Sequence, residues 1–194
     1  MSWTTFIIMW VVIVVAGLAL MIFLVQRANL TFAKRWATLA PLINGTVHKA
    51  ILTYQGNTLT GNYHGLPMRT RVKGKGGGRG GSSIFHFEIL ATPGTRGRDW
   101  KLHYDQGLLG MGADGWEIKT RDEALKQRLV QSDLLAMTQN WTRETSVTYD
   151  GGKGTLLYRQ RIDYLYDLPA PDVFKWQLDL LTQLVEINRQ VNAF

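Results

Sequence analysis

The stretch that decides the architecture is Phe6-Ile-Ile-Met-Trp-Val-Val-Ile-Val-Val-Ala-Gly-Leu-Ala-Leu-Met-Ile-Phe-Leu-Val25, twenty residues without a charge. Coiled as a helix at about 1.5 Å per residue, it covers roughly 30 Å, the thickness of a bilayer's hydrocarbon layer. A helix also satisfies its own backbone groups where no water can. A secretory signal peptide would carry a basic n-region, a shorter apolar stretch and a small-residue cleavage site. Met1 to Thr5 holds no basic side chain, and no Ala-x-Ala site follows the run. The run is therefore expected to span a membrane. The expected division is 1–26 for tail and transmembrane helix, 27–41 for a juxtamembrane helix or linker, and 42–194 for a soluble domain.

Working outward, Arg27, Lys34 and Arg35 follow the span. Positive residues stay on the cytoplasmic side, so the amino end is expected outside and the domain inside. Trp3 and Trp10 at one end, and Phe32 and Trp36 at the other, suit aromatic anchoring at the two interfaces. The span holds no His, Asp, Glu, Lys or Arg, so it offers no proton relay, ion site or imidazole ligand. Trp10, Ala16, Gly17 and Ala19 are its candidate packing positions for another helix. The helical pattern continues to about Leu39 and ends before Pro41.

From Lys49 onward short strands follow one another. Thr58–Tyr63 and Met68–Val72 form a hairpin across His64-Gly-Leu-Pro67. In Ser83–Ala91, residues Ile84, His86, Glu88 and Leu90 face one way, and Phe85, Phe87 and Ile89 the other. Asp99–Tyr104 and Trp116–Ile118 continue the series. Thr120-Arg-Asp-Glu123 has capping-box spacing ahead of an apolar stripe of Leu125, Leu129, Val130, Leu134 and Met137. Asp150-Gly-Gly-Lys-Gly154 separates the strands Thr145–Tyr149 and Thr155–Arg161. Pro169 and Pro171 open a last helix to about Asn192, with Phe174, Leu178, Leu181 and Val185 inward. The expected fold is α+β: an N-terminal transmembrane helix, then an antiparallel β-meander packed by two or three helices.

The strand series, Trp116-Glu-Ile-Lys-Thr-Arg-Asp-Glu-Ala124, Leu134-Leu135, the Gly-centred hairpin and the leucine-rich last helix resemble small single-span bacterial membrane proteins with a cytoplasmic α+β domain of unknown function. The likeness covers most of Thr58 to Val191. Those families carry no agreed activity. The resemblance therefore implies only the fold and a place in the bacterial inner membrane.

The whole chain has 194 residues, no cysteine and a formal charge of +7. Without thiols there is no disulfide framework, cysteine nucleophile or thiolate metal site. Charge is unevenly placed. Between Arg27 and Lys101 twelve Lys or Arg meet two acidic residues, whereas from Leu102 onward ten meet thirteen. Arg69, Arg71, Lys73, Lys75, Arg79, Arg96, Arg98 and Lys101 are the candidate contacts for a polyanion or an anionic headgroup. At a leaflet each would contribute about 1 kcal/mol. The alternative is an ordinary solvated face. Nucleic acid is disfavoured, since no recognition helix or RNP-like motif appears.

Chemistry is hard to find. Gly74-Lys-Gly-Gly-Gly-Arg-Gly-Gly81 lacks the order of a phosphate loop. It reads as a flexible hairpin tip, with a phosphate or headgroup contact as the alternative. Gly110-Met-Gly-Ala-Asp-Gly115 matches G-x-G-x-x-G in letters without the βαβ setting. It reads better as a surface loop with a docking role. His86 with Glu88, and His103 with Asp105, would approach a metal site only if their strands were neighbours. No Gly-x-Ser-x-Gly elbow or serine beside a histidine exists. No cofactor and no catalytic residue is assigned. The expected role is a non-enzymatic accessory subunit of a larger membrane complex, for which an energy-transducing assembly, photosynthetic or respiratory, is a natural host. The alternative is a membrane-tethered module that binds anionic lipid or another polyanion through its basic β-face and Gly-rich loop.

Overall fold

The structure, a computed structural model, describes residues 3–48, 57–75, 84–105, 115–132, 144–164 and 167–192. It opens with α1 (Trp3–Leu39), an unbroken helix of 37 residues. This is the one helix among the described residues long and apolar enough to cross a membrane, and its most apolar window has no buried residue. Pro41 cannot continue an α-helix, and the chain tightens into a 3-10 turn (Ala40–Ile43). Asn44 closes it in the left-handed region, donating its N–H to Pro41 O.

Eight strands follow: β1 (Thr46–His48), β2 (Thr58–Tyr63), β3 (Leu66–Lys75), β4 (Ile84–Ala91), β5 (Trp100–Asp105), β6 (Gly115–Thr120), β7 (Ser146–Asp150) and β8 (Thr155–Ile162). The described residues also form two further helices, α2 (Glu123–Gln131) and α3 (Pro171–Asn192). The fold is α+β, as the sequence pattern implies. The strand order is β1-β2-β3-β4-β8-β7-β5-β6, antiparallel throughout. A meander therefore holds only as far as β4; β8 and β7 then stand between β4 and β5.

What allows that insertion is the crossing of segment 92–99 over the β7–β8 turn. Gly94 and Gly97 donate N–H bonds to the carbonyls of Gly154 and Gly151. A Cβ on Gly151 would overlap Gly97 O, and one on Gly154 would lie 2.6 Å from Thr95 O. The glycines of the Asp150–Gly154 hairpin thus admit the crossing backbone as well as making the turn. The β2–β3 turn is tighter still: His64 and Gly65 both have positive φ, the type I′ geometry that matches strand twist.

One face of the sheet is covered by helices. Trp36 of α1 stacks on Phe87, and Phe174 of α3 meets the same ring edge-on. Leu125 and Leu129 of α2, and Phe174, Leu178, Leu181 and Val185 of α3, are buried with Leu59, Met68, Val72, Ile89, Val147 and Leu156. Tyr63 donates to Asp179 at 2.5 Å and Trp100 Nε1 to Asn188 at 3.1 Å, tying the middle and the C-terminal end of α3 to the sheet.

Three expectations change. Phe32 and Trp36, expected at a lipid interface, are buried in this core beside Ala33 and Leu39. Their i, i+4, i+7 spacing is a one-sided stripe that meets protein. The cap of α2 is Asp122, whose carboxylate accepts from Leu125 N at 3.1 Å. Thr120 instead stays in β6, paired with Trp100. Val130 points to solvent, because it is turned about 100° around α2 from the buried Leu129. Leu134 and Met137 lie outside the described residues.

Candidate binding face

No described helix lies on the opposite face of the sheet, and strand alternation sends a polar row to it from every strand. In register, the row reads His48, Thr58, Arg71, Glu88, Arg159, Ser146, His103 and Glu117. At its centre Glu88 is 1% exposed. Arg71 donates Nε and Nη2 to Glu88 Oε2, both at 2.8 Å. Arg159 donates Nε at 3.0 Å and Nη2 at 2.8 Å to Glu88 Oε1. Burial alone would raise the Glu88 carboxyl, but the bonds and charges of the two guanidiniums outweigh it, so it is held below the usual glutamate range. Two cations on one carboxylate leave this central cluster net positive, while Glu117 at the end of the row balances the remaining charge.

The neighbouring row reads Arg69, Leu90, Leu157, Thr148, Lys101 and Lys119. Leu90 and Leu157 are half-buried, and the cations stand on both sides of them. Arg69, Lys73 and Lys101 form no ion pair among the described residues. On the other side of the Glu88 row, Lys73, His86 and Arg161 are in register. Burial first, and then the charge of Arg159, depress the His86 pKa, which keeps the ring neutral near pH 7.

The eight basic residues singled out from the sequence are partly gathered and partly separated. Arg69, Arg71 and Lys73 share the open face of β3, and Lys101 shares it from β5, four strand intervals away. Arg96 and Arg98 lie in segment 92–99, beyond the Ala91 end of β4, while Lys75 pairs with Ile84 at the opposite end. Arg98 lines a broad groove of about 1120 Å³ with Asp99, Lys119 and Arg121, and lies 3.9 Å from Asp122. Arg79 lies outside the described residues, as does the rest of the Gly-rich loop. The Gly110–Gly115 motif lies outside them too, save its last glycine.

Arg159, Arg161 and Lys119 were missed. The alternation Leu157-Tyr158-Arg159-Gln160-Arg161 puts both arginines on one side of a strand. Only the pairing of β8 with β4 brings them against Glu88. That same insertion keeps His86 and His103 on strands three places apart, with β8 and β7 between them. His103 Nε2 meets Glu117 at 2.9 Å. Among the described residues no group of three His, Asp or Glu could hold a metal.

The span residues Trp10, Ala16, Gly17 and Ala19 are all exposed, with Trp10 in edge-on ring contact with Phe6. A cavity of about 470 Å³ opens between β8 and the start of α3, lined by Phe87, Ile162, Leu168, Pro169 and Val173 with Gln160, Arg161, Asp163 and Asp167. Its mixed lining is suited to apolar contact and contains no nucleophile beside a base. Comparison with family models, with curated proteins and with solved structures found no match for this chain.

Proposed function

We propose that the protein is a single-span, non-enzymatic subunit of a larger membrane assembly, with its domain on the cytoplasmic side and the open sheet face presented to an acidic protein surface. The observation that supports this most is the course of α1. One helix passes without a break from an apolar stretch that is exposed along its length into the buried core at Phe32 and Trp36. An apolar surface of twenty residues in all directions needs hydrocarbon or other apolar helices around it. Arg27, Lys34 and Arg35 follow it, which favours a cytoplasmic domain.

The face suits a protein partner better than a bilayer. From Trp36 at Phe87 to Ile43 at Gly61, level with Ala91, α1 and the 3-10 turn advance in the direction of β4. The strands therefore stand along the span, and the face stands upright. From Ile84 to Ala91 is about 23 Å. Headgroup charge is screened within about 8 Å at physiological salt, so Arg96 and Arg98 lie beyond its reach. A protein surface can meet Arg69, Lys101 and the leucines between them together.

Sizing the native particle in mild detergent tests this reading. A species much larger than one chain, disrupted by the pair Arg69→Glu and Lys101→Glu, is expected. A 22.0 kDa chain running alone in its micelle would overturn it.

A further inference from the structure

We infer that the end of the domain carrying Leu30, Ile84, Tyr164 and Val173 is a second membrane contact, seated in the headgroup layer of the leaflet from which α1 emerges. The inference rests on the reading of α1 as a span and adds a surface that the span does not require.

Of the five exposed large apolar residues beyond Val25 among the described residues, these are four, between 36% and 68% exposed; the fifth is Val130 on α2. They come from four separate elements, yet the topology brings them to one end. Ile84 opens β4, and its neighbour Phe85 pairs with Ile162, so Tyr164 lies just past the same end of β8. Val173 is in the first turn of α3 and lines the cavity with Phe87, Ile162 and Asp163. Leu30 is six residues before Trp36, about 9 Å along α1. Trp36 stacks on Phe87, and Ile84 is three residues, about 10 Å, before Phe87. Leu30 and Ile84 are thus level.

The helix then sets the height. Gln26 is the first polar residue after the apolar run, and Leu30 follows about 6 Å later. The headgroup region of one leaflet is about 5–8 Å deep. Since α1 is continuous and already buried in the core at Phe32, no linker can lift the domain away. A water-facing domain end would pay for four bare apolar side chains, whereas an interfacial one buries them, with Tyr164 the ring type that favours this depth. Apolar contact, not charge, is the driving term.

The chain has no cysteine, so single labels can be placed on the full protein. Val14→Cys, Tyr164→Cys, Val173→Cys and Thr148→Cys would each carry an environment-sensitive fluorophore in nanodiscs containing shallow or deep spin-labelled lipid. Val14 should lose emission to the deep label, Tyr164 and Val173 to the shallow one, and Thr148 on the open face to neither. The Tyr164 and Val173 losses should be the same in zwitterionic and anionic lipid and should survive high salt. Val14 quenched while Tyr164 and Val173 behave like Thr148 would overturn this inference and leave the span reading intact. Quenching at Tyr164 and Val173 only in anionic lipid would overturn it as well. An unquenched Val14 would remove the span reading, and this inference with it.

Discussion

Trp10 and Trp36 lie about seven turns apart on the same helix, one 52% exposed and the other fully buried. The first half of α1 is apolar on every side. The second confines Phe32, Ala33, Trp36 and Leu39 to one stripe and leaves Lys34, Arg35, Ala37 and Thr38 to solvent. An all-round apolar surface demands an apolar solvent, whereas a one-sided stripe is satisfied by a sheet. The sheet repeats the contrast, with Phe87 and Ile89 under helices and Glu88 between them on the open side. Burial on the first face comes from packing, and on the second from paired charge.

The contrast between the tryptophans is the easiest to break. Trp36→Ala should cost the domain about 3–5 kcal/mol, since it removes a large ring from a close-packed core. Trp10→Ala should leave the domain's denaturant midpoint in detergent unchanged. Equal shifts would mean that the two halves of α1 are not the different environments described.

Glu88→Ala comes next, at about 2–4 kcal/mol, because it strands two guanidiniums. The upper range for a fully buried pair is not reached, as both arginines are partly exposed. In a chain that also carries Arg71→Ala and Arg159→Ala the same change should cost much less.

Acidification probes the same face. The folded His86 pKa lies below its ordinary value of 6.5, so once the pH falls through 6.5 the unfolded chain takes a proton that the folded one refuses. Stability should decline there. The depressed Glu88 stabilises fully above its ordinary value of 4.5, and that contribution should vanish as the pH drops through the folded pKa. Glu88→Gln should flatten the lower step and His86→Asn the upper one in stability curves against pH.

Smaller effects sharpen the picture. Asp122→Ala should cost about 1 kcal/mol by leaving the Leu125 N–H uncapped, read as faster amide exchange confined to α2. The pair Arg69→Ala and Lys101→Ala should move the unfolding free energy by no more than about 0.5 kcal/mol while reducing the size of the native particle. Loss of stability instead would place these cations in the fold and not in a binding surface.

Much of the fold was legible. The strand β2, the two glycine hairpins, the alternation of β4 and the inner face of α3 follow from period and turn chemistry, which act within a few residues. The cap at Asp122 was misplaced because Thr120 has the right spacing but is held in a strand by Trp100. Phe32 and Trp36 were misread because an aromatic residue after a span has the same letter whether lipid or protein covers it. Of the open face, the β3 cations were visible and the β8 arginines were not, since Arg159 and Glu88 are joined across 71 positions of sequence.

The amino-acid order alone determined the uncharged twenty-residue run, the α+β class and the polar alternation of the strands, because each depends on hydrophobic period and local backbone preference. Tertiary structure alone decided that β8 and β7 stand between β4 and β5, that Glu88 is clasped by arginines from both neighbouring strands, and that four exposed apolar residues gather where α1 leaves the domain. Those outcomes depend on which distant segments pair. Pairing is chosen by the packing of the whole sheet, down to the glycines of the β7–β8 turn that let another segment cross.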